Sequence, residues 1–139
     1  VSILTKSPLV LRDIDVITKL EDAEAGLTIT TDDERIRRIF EPGAPAIAER
    51  VEALKKLHKA GINTYVFIGP VLPMNPEALA KLIAPYTGSI LIDQMNYASK
   101  TSELYKRYGI EKWLDPAFTA NIVSRLKRCL PSRMIRCCP

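Results

Sequence analysis

Histidine occurs once in this chain, at His58, tryptophan once, and cysteine three times, at Cys129, Cys137 and Cys138. A single histidine excludes a zinc site built from several imidazoles and argues against a Ser-His-Asp arrangement. The cysteines are odd in number and crowded at one end, which excludes a secreted disulfide scaffold. Their spacings match no zinc or iron–sulfur pattern, so no metal ligand is assigned. Neither phosphate-binding glycine pattern, GxGxxG or GxxxxGK followed by Ser or Thr, is present. No stretch approaches the roughly 18 uncharged apolar residues of a transmembrane helix, and no signal peptide opens the sequence. These absences predict a cytoplasmic protein with no membrane contact.

What is present is a chain of 139 residues, 47% hydrophobic and 26% charged. That composition is too apolar for disorder and long enough for one domain with a real core. A complete eight-unit βα barrel needs about 200 residues and is excluded for one copy. Residue 1 is Val, and Ile3-Leu4 already reads as strand, so the chain is expected to be a piece of something longer. Charge is uneven: residues 1–42 carry six basic and nine acidic side chains, residues 43–139 fourteen and seven. From Asn121 onward there are five basic residues and no acids. A basic tail of this kind suits nucleic acid, although no aromatic side chain is interleaved for stacking.

Strand-like runs alternate with helical patterns. Ser2–Thr5 reads as a strand followed by a helical stretch to about Leu20. Gly26–Thr31 is a second strand, and Thr31 with Glu34 forms the capping box of a short helix through Phe40. After the rigid turn Glu41-Pro42-Gly43-Ala44-Pro45 comes an amphipathic helix with Ile47, Val51, Leu54 and Leu57 on one face and Gly61 as terminator. His58 falls near the end of that apolar side and reads as a packing residue. Asn63–Gly69 is a third strand, and Asn75 and Pro76 open the next helix. Ser89–Asp93 is a fourth strand, followed by a helix over 99–108 and a last one capped by Asp115. The alternation predicts an α/β fold with four consecutive βα units, a parallel four-stranded sheet and an extra final helix.

In such folds ligands gather at the carboxyl ends of the strands. Here those ends carry Lys6 and Ser7, Thr30 and Thr31, Gly69 and Pro70, and Asp93 with Asn96. Caps explain Thr31 and Asn75; Lys6 and Asp93 are harder to account for as caps.

The run Thr5-Lys6-Ser7-Pro8, the segment Leu27-Thr28-Ile29-Thr30-Thr31-Asp32, the turn Phe40–Pro45 with Arg50 beyond it, and Gly69-Pro70-Val71-Leu72-Pro73-Met74-Asn75 follow one another in order. In that order they resemble the later part of a radical S-adenosylmethionine (SAM) enzyme of the spore photoproduct lyase-like, or DNA repair photolyase-like, subgroup. The resemblance runs from Thr5 to about Leu130 and implies a partial barrel of the TIM type, matching the third to sixth of six βα units as a single domain. Such enzymes hold a 4Fe–4S cluster on a CxxxCxxC loop and use it to cleave SAM to a radical. That loop is absent from this sequence, so the chain alone is expected neither to bind the cluster nor to catalyse.

The resemblance implies that Lys6, Ser7, Thr30 and Thr31 face the amino-acid or ribose part of SAM, and that Gly69, Pro70 and Val71 let the backbone pass close to adenine. Arg50 would suit the cofactor carboxylate, or Glu41 and Arg50 would instead form an ion pair bracing the turn. Asp93 and Asn96 would line the substrate side. The partner would be a cluster-bearing amino-terminal fragment, or a second copy closing the open sheet edges. The alternatives to an enzyme portion are a non-catalytic half-barrel that binds or dimerises, and a basic nucleic-acid-binding domain.

Overall fold

The computed structural model describes residues 1–93 and 98–136. Five strands form one sheet in the order of the chain: β1 (Ser2–Thr5), β2 (Glu24–Thr28), β3 (Asn63–Ile68), β4 (Ser89–Ile92) and β5 (Ile135–Arg136). Every neighbouring pair is parallel. The sheet therefore has one strand more than the four expected. The fifth is two residues long and follows the last helix, too short to leave an alternating pattern in the sequence.

Helices occupy the connections: α1 (Ile14–Ile17), α2 (Glu34–Phe40), α3 (Ile47–Lys59), α4 (Pro76–Ile83), α5 (Ala98–Arg107) and α6 (Pro116–Arg128). The stretch before α1 is a 3-10 helix, Pro8–Asp13, capped by Ser7. Asn75 and Asp115 cap α4 and α6, each followed by proline, as their sequence predicts. Gly61, at φ 81°, ends α3 in the left-handed conformation that favours glycine.

Three local expectations change. The cap of α2 is Asp33, whose carboxylate accepts from Arg35 N at 2.8 Å. Thr31 instead accepts from Asp33 N and donates to the Pro73 carbonyl at 2.7 Å, and Glu34 accepts from Ile47 N at 3.0 Å at the start of α3. The capping box is thus replaced by contacts that only the folded chain supplies. Strand β2 begins earlier and ends at Thr28, because Thr30 and Thr31 turn their hydroxyls to Glu41 and Pro73. His58 is exposed rather than packed, its ring 6.5 Å from Tyr86. The inward face of α3 carries Arg50 among Ile47, Ala53, Leu54 and Leu57.

Side chains alternate across the sheet, and its two faces differ. One presents Ala25, Leu27, Ile29, Val66, Ile68 and Ile90, all buried in the core against the helices. A parallel sheet whose strands follow chain order, joined by crossovers of one hand, carries its helices on one face. The other face has Leu4 exposed, Tyr65 and, at the amino ends of the strands, Ser2, Glu24 and Arg136. There Tyr65 lies flat across Gly26: its hydroxyl donates to the Ile3 carbonyl at 3.1 Å and sits 3.1 Å from Ser2 Oγ. Arg136 lies over the same ring, 5.9 Å from its centroid, and reaches Glu24 at 3.1 Å, linking β5 to β2.

A Cβ on Gly26 would stand 2.4 Å from two carbons of the Tyr65 ring. Gly26→Ala is therefore expected to cost about 1–3 kcal/mol, the usual range for overpacking, read as a lower urea midpoint with unchanged slope. Combining it with Tyr65→Leu should cost less than the sum of the two single changes. Strict additivity would show that the ring is not held against Gly26.

Candidate functional site

The carboxyl ends of β1 to β3 converge on a cavity of about 220 Å³. Its polar wall is Lys6, Thr30 and Glu41; its apolar wall includes Phe40, Pro70, Leu72 and Tyr105, with Thr101 beside them. Each side chain arrives for a local reason. Lys6 is the first residue beyond β1, Thr30 lies two residues past β2, and Glu41 closes α2 at the rigid turn. Pro70 follows Gly69 through a cis peptide bond. Tyr105 comes from α5 and packs on Phe40 with ring centroids 4.8 Å apart.

Glu41 is the centre of this arrangement. Its Oε1 accepts from the Thr30 hydroxyl at 2.9 Å and from Arg50 Nη1 at 3.2 Å. Its Oε2 lies 2.5 Å from Lys6 Nζ. Arg50 is fully buried, and it also donates to the carbonyls of Thr28 at 3.1 Å and Pro45 at 3.0 Å. Its Nη2 makes no hydrogen bond among the described residues. The role of Arg50 as an ion-pair brace of the turn is present in the structure, and its side chain lies behind Glu41 rather than on the cavity wall. Lys6, by contrast, is 48% exposed.

Burial acts most strongly on the Glu41 carboxyl and raises its pKa. The hydrogen bond from Lys6, the charges of Arg50 and Lys6 and the Thr30 hydroxyl together outweigh it and hold the group below the ordinary glutamate range. Lys6, Glu41 and Arg50 sum to one positive charge at neutral pH. A cluster of that sign draws an anionic group, and half-exposed Lys6 is the donor it offers.

Of the residues singled out in the sequence, Lys6, Thr30, Glu41 and Pro70 meet at this cavity. Ser7 caps the 3-10 helix instead, accepting from Leu9 N at 3.1 Å, and Thr31 is buried in its bonds to Pro73 and Asp33. Gly69 leaves room for the Phe67 ring, which a Cβ would approach to 2.6 Å. Asp93 directly follows β4, which stops at Ile92, one residue short of the expected strand end; its N–H is bonded to the Ile68 carbonyl at 2.9 Å and its Cβ is near Gly69. Asn96 lies outside the described residues. Phe40 as a wall, Leu72, Thr101 and Tyr105 were not foreseen as site residues. The spacing of four between Thr101 and Tyr105 places them on one helix face, but only the fold shows that this face meets the rim.

The donor set fits part of one implied group and not the other. A carboxylate, an amine and a hydroxyl beside an aromatic wall suit a zwitterionic amino-acid group: Glu41 for its ammonium, Lys6 for its carboxylate. An iron–sulfur cluster finds no counterpart, since no three His, Cys, Asp or Glu side chains come together among the described residues, and Cys129 is exposed beyond α6. No helix among the described residues is long and apolar enough to cross a membrane.

No known family model matches the chain. It is similar to the uncharacterized protein MJ0683 of Methanocaldococcus jannaschii, 38% identical over 109 residues, which is 77% of this chain and 41% of that protein. It is also similar to the uncharacterized protein ORF301 of Acidianus two-tailed virus, 29% identical over 129 residues, 81% of this chain and 43% of that protein. The chain thus spans about two-fifths of the length of the curated relatives it matches.

Glu41→Gln leaves Arg50 buried without its countercharge and is expected to destabilise by about 3–5 kcal/mol in urea unfolding. Lys6→Met, at a half-exposed pair, should cost no more than about 1 kcal/mol. Because the folded state lowers the Glu41 pKa, its contribution is present above the ordinary glutamate range and is lost as pH falls through the depressed value. The Gln variant should lack that part of the acid limb. An unchanged acid limb in Glu41→Gln would contradict this account.

Proposed function

We propose that this chain is the carboxyl-side portion of a radical SAM enzyme core of the spore photoproduct lyase-like kind, acting in the cytoplasm as part of a partial TIM-type barrel. The observation that carries the reading is the Lys6–Thr30–Glu41 cluster on the cavity at the carboxyl rim of a parallel sheet. Strand order supports it as well. In doubly wound folds the order reverses at a switch point, whereas here all five strands run in chain order, as in the wall of a barrel.

On this reading Glu41 accepts from the ammonium of the SAM methionyl group, Thr30 fixes the rotamer of Glu41, and Lys6 moves from Glu41 toward the ligand carboxylate. Phe40, Leu72 and Tyr105 shield the pocket from water on one side. Arg50 keeps the carboxylate ionised and in place from behind. SAM, reduced by a cluster held outside this chain, would supply the radical chemistry. The residues described here would bind and orient it, with Asp93 toward the substrate.

Titration of the full chain with SAM, followed by backbone amide signals in NMR, tests this. Shifts are expected to concentrate at Thr30, Glu41, Thr101 and Tyr105. Lys6→Ala should weaken binding by about fivefold or more, the loss of one charge-assisted bond. Saturable shifts confined to other parts of the molecule, or none at millimolar SAM, would refute it.

A further inference from the structure

The rim cavity is smaller than the whole ligand assigned to it above. At about 220 Å³ it falls below the roughly 300–1,000 Å³ of sites that enclose drug-sized molecules. A nucleoside would lie outside it, and what fits within is one group of amino-acid size.

The wall shows which chemistry that group needs. Glu41 lines the cavity yet its side chain is only 7% exposed. Its Oε1 is held by both Thr30 and Arg50, whereas its Oε2 has one partner among the described residues, Lys6 Nζ at 2.5 Å. Lys6 and Glu41 are also the only charged side chains among the described lining residues. Apart from the threonines Thr30 and Thr101, the remaining wall is Phe40, Pro70, Leu72 and Tyr105.

Any ligand that engages Lys6 must therefore open one ion pair. A lone anion that draws Lys6 away leaves Oε2 without a donor, although Arg50 still balances its charge. A lone amine that takes the place of Lys6 leaves the lysine without a counter-ion. Both outcomes leave a polar group unmatched beside an apolar wall, which is costly. A zwitterion fills both places at once: its ammonium donates to Oε2, its carboxylate accepts from Lys6, and no charge is left over. Its two groups must lie close together, because the pair they separate is in direct contact; an α-amino acid carries both on one carbon. The apolar wall then selects a side chain without charge.

We propose that this cavity binds free α-amino acids with an apolar side chain of about the size of methionine, with no nucleoside required. The assignment rests on the roles given above to Lys6 and Glu41 and extends them to a smaller class of ligand. Phe40, Leu72 and Tyr105 cover the side chain, and Thr30 holds Glu41 in place for the ammonium.

Titration of the full chain with L-methionine and with L-norleucine, followed by backbone amide signals, tests it. Both should give saturable shifts at Thr30, Glu41, Thr101 and Tyr105. Two analogues each lack one charge: 4-(methylthio)butanoate has no ammonium and 3-(methylthio)propylamine no carboxylate. Each should bind about tenfold more weakly or worse, the loss of one charge-assisted bond. L-Glutamate, which brings a third charge to the apolar wall, should bind more weakly as well. Lys6→Met should lower methionine affinity by about fivefold or more, and emission from Trp113, buried against Phe118, checks that the variant remains folded. Rim shifts with SAM but none with either amino acid at millimolar concentration would overturn the inference and leave the SAM reading standing. Rim shifts with both amino acids but none with SAM would support the inference and refute that reading. Equal affinity for methionine and its one-charge analogues would overturn the inference, since the exchange needs both groups.

Discussion

The ion pair between Arg50 and Glu41 is the constraint on which the carboxyl rim depends. Burying a guanidinium costs several kcal/mol unless its charge and its donors are met. Meeting them here fixes three pieces of chain at once: the end of β2 through the Thr28 carbonyl, the proline turn through Pro45, and the end of α2 through Glu41. None of these contacts is between neighbours in sequence. The geometry of Glu41, and through it of Thr30 and Lys6, follows from satisfying one buried arginine. A hydrophobic residue of similar volume at position 50 would leave the turn without these three contacts. Buried charge here is better understood as specifying an arrangement than as adding stability.

Much of this was legible in the sequence, and the legible parts share a cause. Asn75-Pro76 and Asp115-Pro116 start helices because the cap and the proline act within one turn of chain, and Gly61 ends α3 for the same local reason. The alternation of strand and helix likewise needs no knowledge of the fold to imply a parallel sheet. Thr31 and Glu34 show where this stops. Their spacing satisfies a local capping rule, yet Thr31 has the Pro73 carbonyl 42 residues away and Glu34 has the start of α3. Each side chain takes the partner that tertiary structure offers, and the cap passes to Asp33. His58 fails differently: the buried face of α3 is centred on Arg50, Ala53, Leu54 and Leu57, and His58 lies with half-buried Val51 on its flank, so the ring is left exposed. Tyr105 could not be placed at the site because the approach of α5 to the rim is a property of the whole packing.

The sheet divides its labour between faces in a way the glycines make visible. On the helical face, branched aliphatic side chains fill the core. On the other, Tyr65 lies down over Gly26 and the Phe67 ring lies against Gly69, each ring taking space that a Cβ would occupy. At the amino ends of the strands the flat Tyr65 ring lets Arg136 reach Glu24 across two intervening strands, tying the short β5 into the sheet. At the carboxyl ends, Phe67 beside Gly69 brings the chain to the cis peptide and Pro70 at the cavity wall. The same device stabilises one end of the sheet and shapes the other.

Mobility at the rim follows from how its charges are held. Arg50 has three of its contacts inside the protein and no access to water, and Glu41 is buried between three partners, so both are frame. Lys6 shares that carboxylate but is half in solvent, where an ion pair is worth little and a competing anion meets small resistance. Lys6 can therefore leave Glu41 without exposing an uncompensated charge, since Arg50 stays behind to neutralise it. Two cations around one carboxylate would be redundant for stability alone. They become useful together when one must stay and the other must move to a ligand.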